Sequence, residues 1–230
     1  MSAHPVILIL GSGPRVGAAV AKQFASTGYS VAIASRSASA GKTTEGYLSV
    51  KADLSNPSSI SAVFDAVKAE FQSPPSVVVY NAAALTPPAD DTLFSIPADS
   101  VAADLNVNTV SAYAAAQEAV KGWEGLPQDT NKLFIFTGNM QNKAVIPMPL
   151  MLNLGIGKSA SAYWIGAADM LYSGHGYRFI YADERNADGS MKGMSLDGEA
   201  HAQFFANLAN GKEEVPWHAT FVKGKGYVTF

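Results

Sequence analysis

Five consecutive apolar residues, Val6-Ile7-Leu8-Ile9-Leu10, run directly into Gly11-Ser12-Gly13-Pro14-Arg15-Val16-Gly17. A strand with no polar face has to be covered on both sides, as strands of a buried parallel sheet are. The glycines that follow let the chain turn tightly. From about Pro14 to Thr27 the apolar positions Val16, Ala19, Val20 and Phe24 keep helical spacing, and Gly28 closes the helix. Strand, glycine turn and helix in that order predict a βα unit.

The alternation continues along the chain. Val31–Ala34 reads as a second buried strand and Tyr47–Val50 as a third. Asn56 is expected to cap a helix that has Pro57 at its first position and runs to about Phe71. Further strands are expected at Val77–Tyr80, Lys132–Phe136, Tyr177–Tyr181 and Ala219–Val222. Helices are expected over about 98–121, 152–172 and 197–210, and loops over 85–97, 139–151 and 183–197. This order predicts an α/β fold. The expected form is a single doubly wound Rossmann-like domain over residues 1–230, on a parallel sheet of about seven strands.

Composition narrows the function classes. The chain is 48% hydrophobic, enough for a sizeable core. The net charge is -3 and no lysine-arginine run stands out, which argues against nucleic acid as a partner. With no cysteine there are no disulfides and no thiolate metal sites. His4, His175, His201 and His218 lack metal-ligand spacing, so no metal is expected. The opening Met1–Pro5 carries no positive stretch, and Val6–Leu10 is too short for a signal segment or a membrane span. A cytoplasmic protein without a membrane partner is expected.

A glycine turn between a first strand and a first helix can bring phosphate to main-chain N–H groups and the positive end of the helix. A tight turn with no ligand is the alternative. Ser35-Arg36 closes the second strand. An acidic residue there would bond a ribose 2′-OH and favour NAD, whereas arginine offers a planar fork for a 2′-phosphate. The expected cofactor is NADP(H) ahead of NAD(H), with a solvated surface arginine as the alternative.

These segments resemble the short-chain dehydrogenase/reductase family, which carries Gly-x-x-x-Gly-x-Gly after its first strand. Gly11 and Gly17 match the outer glycines, and Arg15 stands where the middle one belongs. Gly13 offers conformational freedom in its place, and Arg15 itself offers a charge to a phosphate. The resemblance implies that Gly11, Ser12, Gly13, Arg15, Val16 and Gly17 form the phosphate turn. It puts Ser35 and Arg36 at the adenosine ribose and Asp53-Leu54 at the adenine. Tyr80-Asn81-Ala82-Ala83 resembles the family's Asn-Asn-Ala-Gly at the end of the fourth strand: Asn81 and Ala82 match, and Tyr80 and Ala83 depart. Read from the residues alone, Asp53 could instead serve a local turn, and Asn81 could tie neighbouring strands together.

The chemistry motif is incomplete. The family carries Tyr-x-x-x-Lys, and this chain has Leu154-Gly155-Ile156-Gly157-Lys158. The lysine is kept and the proton-transferring tyrosine is not. The fifth strand ends Thr137-Gly138-Asn139-Met140 where the family ends in Ser-Ser. Asn108 matches the helix asparagine that holds a water near the lysine. The expected catalytic set is Lys158, Asn108 and Asn139, with Lys158 also on the nicotinamide ribose. Tyr163 lies about 140° around the helix from Lys158 and does not share its face. It reads as a packing or helix-interface residue. His175 reads as a surface turn residue, and His201, Trp217 and His218 as structural. Asp183-Glu184-Arg185 either contacts the nicotinamide or substrate, or is an internally paired loop.

Two functions follow. One is an NADP(H)-dependent oxidoreductase that reduces a carbonyl or activated double bond of an unidentified small molecule by a non-standard proton route. The other is a weakly active or inactive NADP(H)-binding sensor or scaffold. By resemblance, helices 98–121 and 152–172, rich in alanines such as Ala112, Ala114, Ala115 and Ala116, pair copies into a homodimer or homotetramer. Burial against the sheet explains part of the same alanine pattern.

Overall fold

A computed structural model describes residues 4–230. Met1, Ser2 and Ala3 of the opening segment lie outside the described residues. The strands form one nine-stranded sheet in the order β3-β4-β2-β1-β5-β6-β7-β8-β9. Seven of them run parallel: β1 (Val6–Leu10), β2 (Ser30–Ser35), β4 (Leu48–Lys51), β5 (Val77–Tyr80), β6 (Lys132–Thr137), β7 (Tyr177–Arg185) and β8 (His218–Val222). These are the seven that the sequence predicts. β3 (Gly41–Lys42) and β9 (Gly226–Tyr227) are two-residue antiparallel strands at the two edges, too short to leave a period-two signal.

Helices cover both faces. Ile60, Val63, Phe64 and Val67 of α2 (Ser59–Phe71) pack on one face, beside Ala112, Ala115 and Ala119 of α4 (Ser111–Trp123) and Ile165 of α5 (Leu152–Tyr172). The other face receives Val16, Val20 and Phe24 of α1 (Val16–Ser26) and Phe204, Phe205 and Leu208 of α6 (Gly198–Ala209). Every residue of β1 is buried, as an all-apolar strand between two helical layers requires. α3 (Ala98–Leu105) and α4 are one run joined by a π-helical turn, Asn106–Val110.

Two expectations are corrected. α2 begins at Ser59, not at Pro57. Asn56 accepts from the Ser58 N–H (3.2 Å) and hydroxyl (2.7 Å), so Asn56 and Pro57 build the turn that leads into the helix. β7 continues past Tyr181 through Asp183, Glu184 and Arg185, all three buried, so the surface loop begins later than residue 183. The charged triplet is tolerated there because its groups are partnered. Arg185 Nη2 lies 2.6 Å from Asp183, and Glu184 Oε2 accepts from the Asp197 N–H at 2.8 Å.

Candidate active site

The glycine turn needs two of its three glycines for steric reasons. Gly11 has φ of 90°, and a Cβ on it would lie 2.4 Å from the Ala82 nitrogen. A Cβ on Gly17 would lie 2.7 Å from Ser12 Cα. Gly13 is not in the left-handed region, and a Cβ on it would meet nothing within 4 Å. It therefore does not substitute for a missing middle glycine. None is needed, because Arg15 at that place has φ of -93°, open to any L residue. The Gly11 and Ser12 N–H groups both donate to the Ala34 carbonyl, at 2.9 and 3.3 Å. Val16 is buried in the core as the first residue of α1, and no side chain caps that helix. The Arg15 guanidinium donates to the Met194 carbonyl, joining the turn to the loop that follows β7.

Ser35 ends β2, and Arg36 beyond it is exposed. Asp53 faces the same side. Its Oδ1 accepts from the Ser55 N–H (3.0 Å) and hydroxyl (2.8 Å). These bonds, with a smaller contribution from the Arg36 charge, hold its carboxyl below the usual range. The local-turn reading of Asp53 thus describes its present contacts. Leu54 is buried, and its carbonyl accepts from the Ser111 hydroxyl at 2.7 Å. Asn81 ties strands together: its side chain donates to the Gly11 carbonyl at 2.9 Å and its N–H to the Leu10 carbonyl at 2.8 Å. Ala82 sits against Gly11, and Ala83 is exposed beside it.

A cavity of about 280 Å³ opens at the C-terminal ends of β5, β6 and β7, where ligands bind in open parallel sheets. Its wall includes Asn81, Ala83, Asn139, Lys158 and Leu154, and Arg15, Glu184 and Met194 close it from the other side. Six of the residues expected from sequence at the site (Arg15, Asn81, Ala83, Leu154, Asn139 and Lys158) meet there. Arg36 and Asp53 stand apart, at the tips of β2 and β4.

Lys158 is buried, and its Nζ donates to the Thr137 carbonyl at 2.6 Å and lies 4.4 Å from the Phe136 ring centroid. Burial pushes its pKa down to about 7, and the Asp183 charge opposes that shift. Thr137 Oγ1 is buried and finds no partner among the described residues.

Asn108 is fully buried in the π-helical turn. Its Nδ2 donates to the Ala84 carbonyl (2.7 Å) and its Oδ1 accepts from the Ala84 N–H (2.8 Å), clamping the segment after β5. The Ser161 hydroxyl donates to the Asn108 main-chain carbonyl at 2.9 Å. A Cβ on Gly157 would lie 2.3 Å from Asn108 Cβ, so α5 reaches this close because residue 157 is glycine. Asn139 is also committed: its Oδ1 accepts from the Gln141 N–H and its Nδ2 donates to Gln141 Oε1, both at 3.0 Å.

Tyr181 is a residue of the site region that sequence reasoning does not find. Its hydroxyl donates to the Asn139 carbonyl (2.8 Å) and accepts from the Asn139 N–H (3.1 Å), behind Gly138. Burial raises its pKa. The one available signal is glycine at 138, at the strand end where the family carries Ser-Ser and where Gly138 or Asn139 falls at the serine position. Tyr163 is 83% exposed and so is not a packing residue within the chain. His175 is exposed, while His201, a residue of α6, is buried.

With this geometry the comparisons are consistent. A curated protein, the short chain dehydrogenase/reductase dmxR12 of Cryptosporiopsis sp. (strain 8999), is 40% identical over 237 residues. The match covers 98% of this chain and 95% of that one. The chain belongs to the short-chain dehydrogenase/reductase family. The family profile described as enoyl-(acyl carrier protein) reductase matches residues 14–146 of this family member. The same fold occurs in a metagenomic short-chain oxidoreductase solved with NADP (TM-score 0.77, 17% identity, 95% of this chain and 96% of that one). It occurs again in 3-ketoacyl-(acyl-carrier-protein) reductase of Brucella melitensis solved with NADH (TM-score 0.77, 18% identity, 97% and 99%). Among the described residues of this oxidoreductase-family chain, no helix is long and apolar enough to cross a membrane.

Proposed function

We propose that the protein is an NADP(H)-dependent oxidoreductase, acting as one domain, that reduces a carbonyl or activated double bond by a proton route without the family's tyrosine. The observation that carries this reading is the strand-end cavity into which Lys158 opens, beside a glycine turn built for close approach. The residues present fit a dinucleotide. No side chain caps the N-terminus of α1, Gly13 leaves open space, the small side chain of Ala82 adjoins Gly11, and Ala83 lines the cavity. A bound nicotinamide dinucleotide would supply hydride. The Arg36 guanidinium would take a 2′-phosphate, Asp53 the adenine, and Lys158 the nicotinamide ribose. Solved structures of the same fold carry NADP in one case and NADH in another, which supports the dinucleotide and leaves the choice between the two to Arg36. We place the protein in the cytoplasm, as a homodimer or homotetramer. The contacts would run through the α3–α4 and α5 helices, where Tyr113, Tyr163, Met170 and Leu171 are exposed.

A second reading has its own observation. Leu154 replaces the hydroxyl, Asn139 is committed to Gln141, and Tyr181 is sealed behind Gly138. These features suit a sensor or scaffold that binds NADP(H) without turnover. Titration of intrinsic fluorescence with each coenzyme, followed by NADPH oxidation across a panel of ketones, quinones and enones, separates the readings. Tighter binding of NADPH with turnover supports the reductase. Binding with no turnover supports the sensor, and no binding of either coenzyme overturns both.

A further inference from the structure

Resting on the reductase reading, we propose that Lys158 is itself the proton donor, its ammonium protonating the substrate oxygen directly as the carbonyl carbon receives hydride. Lys158 and Leu154 lie one helical turn apart and line the same cavity. An apolar side chain, not a hydroxyl, therefore stands beside the ammonium. An ammonium has three N–H donors. The described residues give it one acceptor, the Thr137 carbonyl at 2.6 Å. None of the ion pairs among the described residues includes it.

The amide and guanidinium donors around the cavity are engaged, and the Thr137 hydroxyl, buried there without a partner among the described residues, is a far weaker acid than an ammonium. Asn139 is held by Gln141, and Gln141 Nε2 donates to the Met151 carbonyl at 3.0 Å. Asn81 donates to Gly11 and Arg15 to Met194. The charges around Lys158 are few. From β7, Asp183 faces it but is held by Arg185 at 2.6 Å, with His218 3.9 Å from the same carboxylate. In the cavity wall Glu184 and Lys192 pair at 3.4 Å, and Arg15 completes the set. The neighbours on β6 and the π-helical turn, Phe136, Thr137 and Asn108, carry no charge. An ammonium left in this surrounding, with burial pushing its pKa down to about 7, is an acid matched to neutral pH.

The step balances. Hydride from the reduced nicotinamide dinucleotide forms the new C–H bond, and the carbonyl π pair moves onto oxygen. That oxygen takes a proton as one Nζ–H bond of Lys158 breaks. The dinucleotide is oxidised by two electrons, the carbonyl becomes an alcohol, and the neutral amine regains its proton from water.

The test uses the full chain, NADPH and phenanthrenequinone as probe, from about pH 5 to about pH 9. The rate of NADPH oxidation is expected to fall as pH rises past about 7. Lys158→Arg is expected to bind NADPH within a few-fold of the parent, to lose that falling limb, and to turn over about 10²–10⁴-fold more slowly. In coenzyme-free protein carrying labelled lysine, the NMR titration signal absent from the variant should have its midpoint near pH 7. A variant with the parent's rate and pH profile overturns the assignment and leaves the reductase reading standing. So does a Lys158 signal that titrates at the ordinary lysine value. NADPH bound but never oxidised overturns the assignment together with the reductase reading, and absent NADPH binding removes the cofactor as well.

Discussion

The ring of Tyr181 occupies the space in which a side chain on residue 138 would stand. A Cβ on Gly138 would lie 2.1 Å from Tyr181 Cε1. The ring also stacks on Phe136, with centroids 5.6 Å apart. Serine at 138 must displace the ring and both of its bonds to Asn139. Gly138→Ser is expected to lower stability by about 1–3 kcal/mol, as overpacking does. Urea unfolding measures this. The double variant with Tyr181→Ala should be less unstable than the two single changes summed, and strict additivity would refute the steric account.

Asn108 holds Ala84 by both polar atoms of its amide. Asn108→Ala is expected to destabilise by about 1–3 kcal/mol and to speed exchange of the Ala84 amide proton. Asn108→Asp can still accept from the Ala84 N–H, but its ionised carboxylate turns a second acceptor toward the Ala84 carbonyl in a buried place, so its loss should be at least as large as that of the alanine variant. Unchanged exchange at Ala84 in the alanine variant would remove the clamp from consideration.

Arg36 is exposed at the tip of β2, within electrostatic reach of Asp53. Arg36→Asp replaces a phosphate-binding fork with a ribose-binding carboxylate. The ratio of NADPH to NADH affinity should fall at least about tenfold, which corresponds to about 1.4 kcal/mol. Parallel coenzyme titrations measure it, and an unchanged ratio would mean that Arg36 faces only solvent.

His201 is buried, with its Nδ1 2.8 Å from the Asp197 carbonyl and its Nε2 without a partner among the described residues. Burial pushes its pKa from 6.5 to about 4. At neutral pH it is uncharged, so its 3.5 Å approach to Glu184 is not an ion pair there. Between pH 6.5 and about 4 the unfolded chain binds a proton on this ring that the folded chain does not. Stability from this group is present above that window and falls as pH drops through it, by on the order of 3 kcal/mol. Glu184, whose carboxyl burial raises, titrates with the opposite sign, so the comparison is made between variants. His201→Leu should lose less stability than the parent between pH 7 and pH 4.5, two values on either side of most of that window. Equal losses would show that His201 is not the titrating group.

Segments with unbroken apolar runs are legible in the sequence alone. Val6–Leu10 is β1 to the residue, and Val77–Tyr80 is β5. α5 also spans 152–172 as expected. The end of β7 was not legible, because Asp183-Glu184-Arg185 looks like solvated loop until the bonds that neutralise it are known. At the site, the glycine turn and Lys158 follow from local motif and helical spacing. The sealing of Tyr181 behind Gly138 depends on packing between β6 and β7, and no local pattern encodes it. Asn108 and Asn139 illustrate the same limit. Their positions follow from the motif, but the partners that occupy their amides come from other segments.

The two-residue strands β3 and β9 have a consequence for how copies of this chain can meet. Each rim of the sheet ends on a stub too brief to template a long row of main-chain bonds with a neighbour. Adding a strand from another molecule is thereby discouraged at both margins. In concentrated solution the protein should resist ribbon-like aggregation, and any contact between copies is directed to its helix-covered sides.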